Sequence, residues 1–214
     1  MTALIMANGV YSDPKWYQQR AQKYSYVICA DGGADTAKRM GIMPDMIIGD
    51  LDSIFESDRS YLSEKGIQFR IFPPAKDHTD TYLALDAAVK QGISSIAVWG
   101  GTGGRLDHTL ANLQNAAFFV KSGMRIRFES PSETIYIIND SLILEAHQGD
   151  TVSVLSLCGK SEGVSLTGFR YPLENATLKA DHPLGISNII IGNEAQIRLD
   201  SGVLAVFHNH DAGL

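Results

Sequence analysis

Short apolar runs alternate with amphipathic stretches through the first part of the chain. The runs at 3–6, 26–30, 46–48 and 96–99 read as buried strands, while 14–23, 34–40, 58–65, 80–91 and 107–121 repeat their apolar residues at helical spacing. Gly41, Gly66, Gly92 and Gly123 stand where four of these helices should stop, because a helix commonly ends on a left-handed residue. Strand, helix, strand, helix is the order of a parallel sheet covered on both faces. The expected strands end in Asn8-Gly9, Asp31-Gly32-Gly33, Gly49-Asp50 and Gly100-Gly101. In open parallel sheets, ligands bind in the crevice beyond those carboxyl ends.

The texture then changes. The runs at 134–138, 141–145, 151–156, 163–167, 176–179, 188–192, 195–199 and 202–207 are short, rich in β-branched residues and separated by turn residues. With no long helical pattern among them, a β-sandwich or barrel is predicted. The change falls over 125–132 without a flexible linker, so an α/β domain at 1–130 and an all-β domain at 131–214 are expected.

Composition narrows the function classes. Of 214 residues, 44% are apolar and 20% charged, enough to build a core and unlike a disordered, collagenous or membrane-bundle chain. Asp and Glu number 24 against 18 Lys and Arg, a net charge of -6. Such a surface repels phosphate backbones, so no nucleic-acid partner is expected, and a polyphosphate ligand must bring a metal ion or meet a local basic spot. Cys29 and Cys158 are the only cysteines, which excludes a disulfide framework or a thiolate zinc site. The first seven residues carry no basic leader, and no apolar stretch nears the roughly 18 residues of a membrane span. No membrane partner and a cytoplasmic location are expected.

Four segments carry chemistry. In Gly49-Asp50-Leu51-Asp52-Ser53, two carboxylates just past a strand can converge on one hard cation such as Mg2+; alternatively Asp52 or Ser53 caps a helix. Lys76-Asp77-His78-Thr79-Asp80 opens a helix, where Thr79 or Asp80 could serve only as a cap. In Asp31-Gly32-Gly33 an acid leaves a strand beside glycines that let backbone approach a ligand, although the triplet is also a common turn. Gly100-Gly101-Thr102-Gly103-Gly104-Arg105 offers exposed N–H donors ahead of a helix N-terminus, with a guanidinium fork suited to phosphate oxygens. It is neither a Walker A loop nor a dinucleotide fingerprint. Together the four predict a metal-plus-phosphate site, with Lys76 and Arg105 as its positive field and chemistry at phosphorus as its reaction class.

These segments, with Thr167-Gly168-Phe169-Arg170-Tyr171-Pro172-Leu173 and Gly185-Ile186-Ser187-Asn188 further on, resemble the thiamine pyrophosphokinase family in order over nearly the whole chain. The resemblance implies a Rossmann-like parallel-sheet catalytic domain followed by an all-β sandwich or barrel domain. It implies transfer of the β,γ-diphosphate of ATP to the hydroxyethyl oxygen of thiamine, giving thiamine diphosphate and AMP, in a homodimer with active sites at the subunit interface. By motif, Asp50, Asp52 and Asp80 correspond to Mg2+ ligands. Asp31, Gly32, Asp77, Gly101, Gly103, Gly104, Arg105 and Asp107 correspond to the nucleotide side, and Asp80 and Asp107 are the candidates to accept the hydroxyl proton. Tyr171, Ser187 and Asn188 correspond to the thiamine side, where an aromatic face suits a cationic thiazolium; eukaryotic members carry Trp at the position of Tyr171.

Other residues read as structure. The run His208-Asn209-His210-Asp211 is expected to be a terminal polar stretch, His78 and His108 to be hydrogen-bonded or exposed, and the cysteines to be small buried hydrophobes. Three other activities are compatible with parts of the pattern. These are an aspartyl phosphatase-like hydrolase with Asp50 as nucleophile and Asp52 as acid/base, a noncatalytic nucleotide-sensing module, and a metal-dependent nucleotide-sugar transferase.

Overall fold

The computed structural model describes residues 2–52, 54–73, 75, 77–145 and 147–210. Ser53, Lys76 and Asp211, named above as a possible cap, part of the positive field and part of a terminal run, lie outside the described residues. The chain divides into two compact units, Met1–Asn112 and Leu113–Leu214. The division falls inside a helix, ahead of the 130/131 boundary expected from the change in sequence texture.

In the first unit the elements are β1 (Thr2–Met6), α1 (Pro14–Ala21), β2 (Tyr26–Ala30), α2 (Gly33–Arg39), β3 (Met46–Gly49), α3 (Glu56–Glu64), β4 (Gln68–Ile71), α4 (Asp80–Lys90), β5 (Ser95–Trp99) and the start of α5 (Leu106–Val120). The strands run in the order β5-β1-β2-β3-β4, and all four pairings are parallel. Helix starts follow local chemistry. Asp13 accepts the N–H groups of Lys15 and Trp16 ahead of Pro14, and Thr79 accepts that of Tyr82. Gly41, Gly66, Gly92 and Gly123 all have positive φ, as their placement at helix ends predicts.

Beneath the sheet's carboxyl end lies an aromatic cluster. Trp99 is fully buried, with ring centroids of Tyr17, Tyr24 and Trp16 at 5.0, 5.5 and 5.9 Å. Burying one such side chain is worth about 2–3 kcal/mol, so this cluster anchors the end of β5 from which the glycine loop departs.

The second unit carries β6 (Arg125–Glu129), β7 (Glu133–Ile138), β8 (Ser141–Glu145), β9 (Thr151–Ser156), β10 (Lys160–Thr167), β11 (Leu173–Lys179), β12 (Gly185–Ile189), β13 (Glu194–Arg198) and β14 (Leu204–Asn209). Its strands form the runs β12-β9-β14-β7-β6 and β11-β10-β13-β8, antiparallel throughout. Leu144, Val154, Val164, Leu166, Phe169, Ile197 and Val206 fill the core between them, a β-sandwich as expected. The strand expected at 188–192 begins earlier. A Cβ on Gly185 would strike the Val154 carbonyl and Ser187 has φ 55°, so β12 pairs closely with β9 but shifts register between Gly185 and Asn188. Among the described residues no helix is long and apolar enough to cross a membrane.

Candidate active site

The strand order of the first unit reverses direction at β1. After β1 the chain lays β2, β3 and β4 successively to one side, then returns to place β5 on the other. The connections out of β1 and β5 therefore part, and a crevice opens beyond their carboxyl ends. A cleft of about 600 Å3 lies there. One wall is Asn8, Gly9 and Val10 after β1, and the other is Gly100, Gly101, Gly103, Gly104 and Arg105 after β5. Asp31 after β2, with Thr79, Asp80 and Thr81 at the start of α4, completes it.

Glycine is required where these walls meet. A Cβ on Gly9 would collide with the Gly100 carbonyl, and one on Gly33 with the Met6 carbonyl. Gly32 does not line the cleft; it leaves room for the side chain of Asn8, which does. Gly103 and Gly104 have φ of 78° and 75°, so the loop turns its backbone as only glycine does without strain. The loop is tied from below by buried Asn112, whose Nδ2 donates to the Gly101 carbonyl at 2.8 Å.

The acidic residues gather around Gly49. Carboxylate oxygens of Asp31, Asp50 and Asp52 lie within 4.8 Å of one another. A Cβ on Gly49 would sit 3.1 Å from Asp31 Cβ and 3.2 Å from Asp80 Oδ1, so Asp80 flanks the same point. Asp31 and Leu51 both hold left-handed backbone, φ 48° and 65°, which bulky Leu tolerates poorly. Asp31 Oδ1 is buried without a hydrogen-bond partner. A buried, unpaired carboxylate oxygen beside two more carboxylates fits a hard divalent cation, whose charge would offset both the desolvation and the mutual repulsion.

Arg105 and Asp107 pair at two points, Nε to Oδ1 at 3.1 Å and a terminal guanidinium nitrogen to Oδ2 at 2.6 Å. This hydrogen bonding raises the Arg105 pKa further and holds the Asp107 carboxyl below its ordinary value of 3.8, with the His108 N–H adding to the second shift. Asp107 does not line the cleft itself; it reaches it through Arg105.

The structure thus brings Asp31, Asp50, Asp52, Asp80, Gly101, Gly103, Gly104 and Arg105 to one end of one sheet. It joins Asp31 to the carboxylate group expected from Asp50 and Asp52. Asp77 is exposed and is not among the side chains lining the cleft, and His78 stacks on Tyr82 with ring centroids 4.0 Å apart. Sequence reasoning missed Asn8, Val10, His108 and Asn112 as cleft residues. The sequence does carry a signal for the first, because Asn8-Gly9 stands at the end of a strand-like run. Asn112 carries no such signal, being one of several polar residues along a helix that also holds Asp107, His108, Thr109, Gln114 and Asn115.

Tyr171, Ser187 and Asn188 belong to the second unit. Asn188 is 4% exposed, and its carboxamide is engaged at both ends: Oδ1 accepts the N–H of Tyr171 and of Ile189, both at 3.0 Å, and Nδ2 donates to the Tyr171 carbonyl at 2.7 Å. Its side chain therefore holds the backbone of Tyr171, whose own side chain is 63% exposed. Ser187 is exposed and donates its N–H to Ser153 Oγ at 3.0 Å.

Residues 17–128 match the family model described as thiamin pyrophosphokinase, catalytic domain, and residues 140–204 match the one described as thiamin pyrophosphokinase, vitamin B1 binding domain. The thiamine pyrophosphokinase of Bacillus subtilis (strain 168) is 31% identical over 187 residues, spanning 86% of this chain and 87% of that protein. A crystal structure of thiamine pyrophosphokinase from Bacillus subtilis superposes with a TM-score of 0.86 at 28% identity, covering 99% of this chain and 100% of that one. Thiamin pyrophosphokinase from Candida albicans shares the fold, with a TM-score of 0.83 at 18% identity over 98% of this chain and 89% of that one. The hydrolase, sensing and sugar-transferase readings are not favoured by these likenesses. On its two matched regions and its overall likeness to the Bacillus protein, the chain belongs to the thiamine pyrophosphokinase family.

Proposed function

We propose that the protein transfers the β,γ-diphosphate of ATP to the hydroxyethyl oxygen of thiamine, releasing AMP. The observation that carries this reading is the convergence of the segments after β1, β2 and β5 at one crevice with a glycine loop and a guanidinium, where Asp31 of the lining also groups with Asp50 and Asp52 after β3. The hydroxyl oxygen of thiamine forms a bond to the β-phosphorus, the bond from that phosphorus to the α,β-bridging oxygen breaks, and its electron pair leaves with AMP. Backbone N–H groups of the glycine loop and the Arg105 fork bind the phosphate oxygens and gain strength as charge redistributes. Asp31, Asp50 and Asp52, with Asp80 beside them, would hold Mg2+, which when bound neutralises phosphate charge and acts as a Lewis acid.

The hydroxyl proton needs an acceptor. Asp107 is engaged by Arg105, whereas Asp80 lines the cleft, which favours Asp80 of the two candidates. Tyr171 would stack on the thiazolium, carried on a backbone that Asn188 holds, with Ser187 close by in the sequence. We assign catalysis to the α/β part, 1–130, and thiamine binding to 131–214, in a homodimer whose sites lie at the subunit interface. The exposed side chains of Tyr171, Leu184, Ile186 and Ile191 support a contact surface around β12. We place the activity in the cytoplasm, which the two free cysteines support.

The test follows the nucleotide product with ATP, Mg2+ and thiamine. AMP that forms only when thiamine is present supports the reading. ADP in its place would indicate single phosphoryl transfer, and inorganic phosphate without thiamine would indicate a hydrolase.

A further inference from the structure

We propose that Tyr11 is a positioning residue for nucleotide binding, its phenolic hydroxyl clamping together the two strand ends between which the cleft opens. The hydroxyl donates to the carbonyl of Ala7 at 2.9 Å and to that of Trp99 at 3.1 Å. Ala7 is the first residue past β1, and Trp99 is the last residue of β5. The backbone between these strands makes one more link there, from Ala7 N–H to the Trp99 carbonyl at 2.8 Å, before the chains part. Tyr11 thus supplies a side-chain tie across the point where the strand order reverses.

Its ring controls the adjoining loops as well. Gly100 has φ 64°, and a Cβ there would lie 2.6 Å from Tyr11 Cε2, so the ring fills the space that the glycine leaves. From the other side the ring packs edge-on against Tyr17 at 4.9 Å, and Tyr17 packs against Trp99 at 5.0 Å. Tyr11 is therefore wedged between a rigid aromatic cluster and the start of the glycine loop. Residues 8–10, through which the chain reaches Tyr11, form the opposite wall of the cleft.

Tyr11 does not line the cleft, so it acts through the loops it holds. Burial pushes its pKa well above 10.0, with Cys29 and Tyr17 adding to the effect, and the proton that makes both contacts is retained at neutral pH. The inference rests on the proposal that the cleft binds ATP.

The decisive variant is Tyr11→Phe, which keeps the ring and removes one oxygen. Calorimetry with a nonhydrolysable ATP analogue and Mg2+ should show affinity weaker by about 10-fold, the scale of one lost hydrogen bond. In steady state the KM for ATP should rise by a similar factor, with the KM for thiamine and kcat at saturating ATP held within about twofold. Unchanged nucleotide affinity would overturn the inference and leave the proposed function standing. Equal losses for both substrates, with a lower melting temperature, would make Tyr11 a structural residue and overturn it too. If the unaltered protein binds no adenine nucleotide, the nucleotide reading of the cleft fails and this inference with it.

Discussion

Arg105 and Asp107 hold each other in a two-point ion pair across a single intervening residue, at the exposed mouth of the cleft. The pair fixes the guanidinium plane before any phosphate arrives, which limits the side-chain entropy lost on binding. A lysine keeps the charge but offers neither the plane nor the fork. Arg105→Lys should therefore lower kcat/KM for ATP by about 100-fold, measured as thiamine-dependent AMP formation. Thermal unfolding should be unchanged, because both partners are solvent-exposed.

The carboxylate group around Gly49 makes a second prediction. Asp31→Asn replaces a buried, unpartnered oxygen with a neutral amide and should weaken Mn2+ binding, read by electron paramagnetic resonance, by at least about 10-fold. Asp52→Asn should abolish AMP formation while circular dichroism reports an intact fold. An active Asp52→Asn protein would remove Asp52 from the metal ligands.

How much of this could be read beforehand depends on what each element buries. Strands β1, β2, β3 and β5 are apolar on both faces and announce themselves as uninterrupted runs. The strand β4, Gln68-Phe69-Arg70-Ile71, lies at the sheet edge with no fully buried residue, so its sequence carries no such run. The site was legible where chemistry is concentrated in adjacent residues, as in Asp50-Leu51-Asp52 and the glycine loop. It was not legible where a residue acts through distance. Tyr11 reaches Trp99, 88 positions away, and carries no local signature, because its partner is a backbone group that any residue could provide. Asn188 stands in a segment that the family resemblance picks out, but its hold on the Tyr171 backbone, 17 positions away, is not written there.

Asp35 yields a prediction about stability. It is 4% exposed at the start of α2, where Oδ2 accepts the Phe55 N–H at 3.3 Å and Oδ1 has no partner. Burial raises its pKa from 3.8, Asp58 nearby adds to the rise, and the Phe55 N–H opposes it. The folded state then holds this proton more tightly than the unfolded chain does. The contribution of Asp35 to stability is fully present below pH 3.8 and declines as pH rises through the folded-state pKa. Asp35→Asn keeps an acceptor for Phe55 and carries no charge. Its advantage over the natural residue should be slight in acid and grow to about 1 kcal/mol at neutral pH, measured by urea unfolding across the range.

Asp150, which pairs with His208, should behave in the opposite sense. They are 2% and 3% exposed, and His208 Nε2 lies 2.8 Å from Asp150 Oδ2, which also accepts the His147 N–H at 3.0 Å. Burial alone would raise the Asp150 pKa, but the hydrogen bonds from His208 and His147 outweigh it and bring the carboxyl below 3.8. Its stabilising contribution is therefore present above that ordinary value and lost as pH falls through the lower folded-state value. Asp150→Ala leaves His208 buried without its carboxylate and frees the His147 N–H, a loss of about 3 kcal/mol at neutral pH. His208→Phe should cost a similar amount, because it leaves the buried carboxylate with the His147 N–H and without the imidazole. The double variant should cost clearly less than the sum of the two, since neither member of the buried pair is left without the other. Urea unfolding of the four proteins at pH 7 measures that coupling. Repeating it below the folded-state pKa of Asp150 should shrink the coupling, because the carboxylate is then protonated in both states.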